Sequence, residues 1–174
     1  MAAIDLIVLG MIKQQPQSAY ELQKNVEYRN ISRWVKISTP SIYKKVIQLE
    51  EKGYLEAELV REGNMPEKSV YRITPEGEHF FMDLMEKTAR ETVSIFLNFN
   101  AVIMNLDFMP EEKRKELLEG IHDGISDLKE TIEVKSGERQ HIPLTGRTIL
   151  QQLEMTEAME RWLTGFEKEY LKKK

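Results

Sequence analysis

Ser41, Tyr43, Lys44, Lys45 and Gln48 lie close together in the stretch Ser38–Gly53, STPSIYKKVIQLEEKG. Hydroxyls, an amide and ammonium groups at this spacing suit the hydrogen-bonding edges and phosphates of duplex DNA. Gln can bond adenine, Lys can bond guanine or phosphate, and a Tyr hydroxyl can reach a phosphate beside the groove. That chemistry requires a helix to carry them. Ile42, Val46 and Leu49 recur at about the 3.6-residue period and form an apolar back. Ser41, Lys44 and Gln48 then face the other way, Lys45 lies on the edge, and Tyr43 lies on the flank. Thr39 is expected to cap the helix, Pro40 to occupy its first turn, and Gly53 to end it in the left-handed conformation. An ordinary surface helix would show the same pattern, so its neighbours decide between the two readings.

Upstream, Ile4, Ile7, Val8 and Met11 make one face of a first helix, which QQPQ terminates. Ser18 and Glu21 are spaced as a capping box, so a second helix should run over about 19–28. Tyr20, Leu22 and Val26 are its expected buried positions, with Tyr20 also able to turn its hydroxyl toward DNA. Trp34 belongs to the short connection into the organising helix and reads as core. Three helices with such connections form a helix-turn-helix core. Downstream, residues 54–61 and 69–74 alternate as two strands around a polar turn at 62–67. Lys68 and Arg61 flank that turn. Helices followed directly by a hairpin give the winged-helix plan.

Thr74-Pro75 opens another helix by the Thr-cap, Pro-first device. Phe80, Phe81, Leu84 and Met85 give it a broad apolar face. The apolar pattern continues, with room for a break, through Val93, Phe96, Leu97, Ile103 and Met104. That surface needs cover from later helices or from a second chain. A further helix starts at Pro110, with Leu117, Ile121, Ile125, Leu128 and Ile132 in stripe. Residues 136–145 read as a loop. The final helix carries Ile149, Leu153, Thr156, Met159, Leu163 and Phe166. The expected architecture is mainly α with a small β-hairpin: a winged-helix DNA-binding domain over 1–77 and a helical dimerisation domain over 78–174.

The net charge of −4 over 174 residues excludes a generally basic nucleic-acid coat. Its distribution is uneven. Residues 13–45 hold 7 Lys+Arg against 2 Asp+Glu, whereas residues 78–174 hold 14 against 19. Positive charge therefore collects around the organising helix. There is no cysteine, which excludes disulfides, thiolate metal sites and a cysteine nucleophile. No phosphate-binding loop, dinucleotide fingerprint, zinc-protease motif or serine-hydrolase elbow occurs. His79, His122 and His141 lack ligand spacing. No catalytic residue, metal or cofactor is expected, and no membrane segment; a cytoplasmic location fits.

These residues resemble the PadR family of bacterial transcriptional regulators. Leu6-Ile-Val-Leu-Gly-Met-Ile12 is similar to the family's opening helix. Ser18-Ala-Tyr-Glu-Leu22 resembles its His-Gly-Tyr-Glu-Ile/Leu, and Ser38-Thr-Pro-Ser-Ile-Tyr43 its Ser-Pro-Gly-Ser-Ile-Tyr. Leu49-Glu-Glu-Lys-Gly-Tyr-Leu55 and Tyr71-Arg-Ile-Thr-Pro-Glu-Gly77 resemble the segments that enter and leave the wing. Glu160-Arg-Trp-Leu163 resembles an element of the longer members' last helix. The chain departs from the pattern at Ser18-Ala19, at Lys44 in place of Pro, at Ile47 in place of a polar residue, and at Lys68-Ser69-Val70 in place of a basic pair. The departures at Lys44 and Ile47 alter the outward face of the recognition helix.

The resemblance implies a homodimeric winged-helix repressor on a pseudo-palindromic operator of double-stranded DNA. Its half-sites would lie about 34 Å apart. The DNA-contact candidates are Tyr20, Lys36, Ser38, Thr39, Ser41, Tyr43, Lys44, Lys45, Gln48 and Lys68. Residues 74–109 and the C-terminal helices would supply the dimer interface. A small-molecule effector would bind at Phe96, Phe99, Asn100, Met104 and Trp162, where plain dimer core is the competing reading. A winged-helix protein-interaction module that binds no DNA is the alternative function.

Overall fold

The computed structural model of the chain describes residues 2–61, 66–138 and 143–172. Two compact units follow one another, residues 1–94 and 95–174. In the first, α1 (Ala2–Gln14), α2 (Ala19–Tyr28) and α3 (Ser41–Glu51) precede an antiparallel hairpin of β1 (Leu55–Val60) and β2 (Lys68–Ile73). Helix α4 (Pro75–Ala89) closes the unit. The second holds α5 (Phe99–Ile103), a 3-10 turn (Leu106–Phe108), α6 (Glu111–Glu138) and α7 (Pro143–Tyr170). The polar turn expected around 62–67 lies mostly outside the described residues. So does the middle of the expected 136–145 loop: helices run to Glu138 and resume at Pro143.

The apolar residues of α1 extend beyond one face because α2, α3, α4 and β2 all pack on it. Val8, Leu9 and Ile12 are buried there, together with Leu22 and Val26 of α2 and Ile42, Val46 and Leu49 of α3. Leu55 and Tyr71 bring the hairpin into the same core. Two strands alone are marginal, so this packing is what holds the wing. In register, Leu55 pairs with Ile73 and Ala57 with Tyr71.

The expected domain boundary fell after Gly77, whereas α4 packs on α1 and extends the first unit to Ser94. Thr74 accepts a hydrogen bond from the Gly77 N–H (3.0 Å) and donates its hydroxyl to the Gly53 carbonyl (2.7 Å). The Tyr54 and Phe80 rings stack at 4.2 Å, and Leu84 completes the core. The apolar run after α4 is broken: residues 91–97 are not helical. Thr92, Val93 and Ile95 are β-branched and Ser94 competes for backbone hydrogen bonds, which weakens helix there.

In the second unit, Lys129 with Glu160 (2.9 Å) and His122 with Glu167 (3.4 Å) show α6 and α7 to be antiparallel. Leu106, Leu118, Ile121, Ile125 and Leu163 form its core. Leu118, absent from the expected stripe, is fully buried, while Leu117 and Leu128 are half-buried at its margins. Thr156 is buried but satisfied, donating its hydroxyl to the Gln152 carbonyl at 2.8 Å.

Candidate nucleic-acid interface

Helix α3 divides sharply. Ile42 and Val46 are fully buried, whereas Ser41, Tyr43, Lys44 and Ile47 are exposed and Gln48 is half-buried. The division follows from the period, because positions 42, 46 and 49 share a stripe and 44 and 47 lie opposite. The end of the helix is as expected: Gly53 has φ 77°, and its N–H donates to the Glu50 carbonyl. The start differs. Pro40 occupies the cap position, and no side chain caps the helix. The carbonyls of Ser38 and Thr39 accept the N–H groups of Ser41 and Ile42 instead. The Thr39 hydroxyl lies 3.4 Å from that of Ser32, and Ser38 is exposed beside it.

Three of the DNA-contact candidates sit differently from what their local sequence suggests. Lys45 turns toward α1 and pairs with Asp5 at 2.7 Å, both side chains only 16% exposed. This edge position is therefore tied to the scaffold. Tyr20, expected to be a buried position, is 59% exposed on α2, with the Lys24 ammonium 5.8 Å from its ring centre. The core side of α2 is filled by Ala19, Leu22 and Val26, which leaves the larger ring outside. Lys68 donates to Glu21 at 2.9 Å, linking the start of β2 to the start of α2. Lys36 is exposed in the connection before α3. Trp34, read as core, is half-buried there.

The capping box at Ser18 is complete. The Ser18 N–H donates to Glu21 Oε2 (2.8 Å), and the Glu21 N–H donates to Ser18 Oγ (3.3 Å). The Ser18 backbone hydrogen bond, then the Lys68 ammonium, lower the Glu21 carboxyl from its ordinary 4.5 to about 2. Folding thus favours the ionised form. The resulting stability is present above pH 4.5 and is lost as pH falls toward 2. Glu21→Gln should flatten that acid-side loss. At neutral pH it should cost about 1 kcal/mol, a figure kept small because the side chain is partly exposed. Urea midpoints of both proteins, at neutral pH and between pH 4.5 and 2, check this.

Of the effector candidates, Phe99 and Trp162 come together with ring centroids 6.2 Å apart. Phe96, Asn100 and Met104 are exposed. Phe166 extends the stack 5.4 Å from Trp162, and Tyr170 lies 5.3 Å beyond Phe166. Their spacing of four residues along α7 was the available sequence signal, since such side chains meet on one helix face. Among the described residues, no three His, Asp or Glu side chains gather as a metal site would require. No described helix is long and apolar enough to cross a membrane.

Residues 8–83 match the transcriptional regulator PadR-like family. Among solved structures, the fold is similar to Bacillus subtilis PadR in complex with operator DNA. That match has a TM-score of 0.80 at 13% identity and covers 94% of this chain and 97% of that one. Bacillus subtilis PadR in complex with p-coumaric acid gives 0.73 at 13% identity, covering 94% and 95%. The Vibrio cholerae virulence activator AphA gives 0.72 at 18% identity, covering 98% and 99%. At these identities the likeness is one of fold. No curated protein sequence matches the chain.

Proposed function

We propose that the protein, whose residues 8–83 match the transcriptional regulator PadR-like family, is a sequence-specific DNA-binding repressor acting as a homodimer in the cytoplasm. The observation that carries the reading is α3. One side is sealed into the core, and the other presents Ser41, Tyr43 and Lys44 to solvent with Gln48 beside them. A helix held this way can enter a major groove without rearrangement. Lys44 and Gln48 meet base edges or the nearest phosphates. Ser38, Thr39, Lys36 and Tyr43 contact the backbone near the helix start. Tyr20 adds a hydroxyl from α2. Lys45 and Lys68 act by fixing α3 and the wing, through Asp5 and Glu21.

The dimer is formed through the second unit, with Val93 just before it. Val93, Ile95, Phe96, Met104 and Phe108 are all strongly exposed in the single chain. A small effector bound around Phe99 and Trp162 changes the spacing of the two recognition helices and releases the operator. The Bacillus subtilis PadR complex with p-coumaric acid supports a small-molecule ligand for this fold.

Titrating salt against binding of the protein to duplex DNA from its own promoter tests the reading. Binding should weaken steeply as salt rises. Lys44→Ala should lower affinity and, if Lys44 holds a phosphate, reduce the salt slope by about 1. Tyr43→Phe should weaken binding about threefold or more, as expected for one lost hydrogen bond. Promoter DNA bound no better than random duplex, with both variants unchanged, would leave a protein-interaction module instead.

A further inference from the structure

Ile47 stands near the middle of the outward stripe of α3, one turn beyond Tyr43 and Lys44, and the residue is 46% exposed. The core of the unit lies on the opposite face, where Ile42, Val46 and Leu49 are at most 2% exposed. Isoleucine at this place gains little from burial. As a β-branched residue it also makes a poorer helix position than Leu, Ala or Lys. Its neighbours on the same surface are polar or amphipathic: Tyr43, Lys44, Gln48 and Glu51. A lone exposed apolar residue needs no explanation elsewhere on a protein. Within a helix face that enters a groove, its chemistry discriminates.

The major-groove edges of guanine and adenine meet a side chain with donors and acceptors, and cytosine adds to its amino donor only a small C5–H. An aliphatic group pressed against them removes water and returns nothing. Thymine alone presents a methyl group there. We propose that Ile47 is a specificity-determining residue that reads a thymine 5-methyl group in each half-site, next to the bases met by Lys44 and Gln48. This inference rests on the DNA-binding reading above. It adds a definite base preference, set by the side chain at position 47.

Deoxyuridine differs from thymidine only in lacking that methyl, so it isolates the contact. The bound segment of the protein's own promoter is first located by footprinting. Each thymine in it is then replaced in turn by deoxyuridine, and affinities are measured for the wild type, Ile47→Ala and Ile47→Val. At one thymine position in each half-site, loss of the methyl should weaken the wild type about fourfold, the value of one buried methyl-sized group. Ile47→Ala should bind the thymine duplex more weakly and be indifferent to uracil at that position. Ile47→Val, which retains branched methyls, should keep part of the penalty.

A wild type indifferent to uracil at every position overturns the proposal, and this outcome needs no variant. Equal uracil penalties in the wild type and Ile47→Ala overturn it as well, because the methyl would then be read by another residue. Failure of the wider reading looks different: the unmodified promoter duplex is then bound no better than random DNA.

Discussion

Gly77→Ala should destabilise the first unit by about 3 kcal/mol. A Cβ at residue 77 would lie 2.0 Å from the Tyr54 carbonyl oxygen and 2.9 Å from Ile73 Cγ1. The first obstacle is backbone and cannot rotate away. It is also fixed, because the Tyr54 carbonyl accepts the Thr74 N–H at 3.2 Å. Relief requires the first turn of α4 to move outward. That movement strains the Thr74 cap, its bond to Gly53 and the stack of Tyr54 on Phe80. Thermal unfolding followed by circular dichroism should show a transition lowered by on the order of 15 °C. Gly120→Ala is the control. Nothing lies within 4 Å of a Cβ there, so helix propensity alone should make it neutral or slightly stabilising. A Gly77→Ala protein as stable as the wild type would show that the junction of hairpin and α4 yields freely.

Arg114→Ala should cost the second unit about 3 kcal/mol. Arg114 is 8% exposed. Its Nε donates to the Met109 carbonyl (2.6 Å) and its Nη2 to the Asp107 carbonyl (2.9 Å). The guanidinium also lies 6.0 Å from the centre of the Tyr170 ring, whose hydroxyl donates to Asp107 at 2.6 Å. One side chain therefore ties the 3-10 turn, the start of α6 and the end of α7. Removing it leaves two carbonyls without their charged donor and opens space beside the core. Arg114→Lys should rescue only part of the loss, since an ammonium cannot reproduce the fork. Trp162 fluorescence during urea unfolding, in a Trp34→Phe background, reports the second unit. An unchanged midpoint in Arg114→Ala would show that the corner is held by packing alone.

Local devices were legible in the sequence. Ser18 with Glu21, Thr74 with Pro75, and Gly53 each act within a few residues, and each forms the cap or turn its chemistry requires. The alternation of Leu55, Ala57 and Leu59 likewise became β1. What was hidden depends on distant partners. Nothing near Lys45 announces Asp5, and nothing near Lys68 announces Glu21. Tyr20 follows the helical pattern of a buried residue, but the space is filled by Ala19, Leu22 and Val26. Nothing near Asp107 or Arg114 announces Tyr170. The start of α3 was misread because Thr39 is a good cap in isolation, whereas the preceding chain supplies carbonyls that do the same work.

Gln17 has an effect beyond its own place between α1 and α2. Its carbonyl accepts the Tyr71 N–H at 3.0 Å, and its buried amide donates to the Met11 and Gln15 carbonyls and accepts from Asn25. The base of the hairpin is thus stitched to the helical turn as a short third strand would be. Opening that base breaks the turn, and breaking the turn uncovers Leu22 and Val26. The wing therefore divides into two cooperative zones. In native-state hydrogen exchange the amides near Tyr71 should open only with the unit as a whole, while the Val60–Lys68 end, tied to α2 by the partly exposed Lys68–Glu21 pair, should exchange faster.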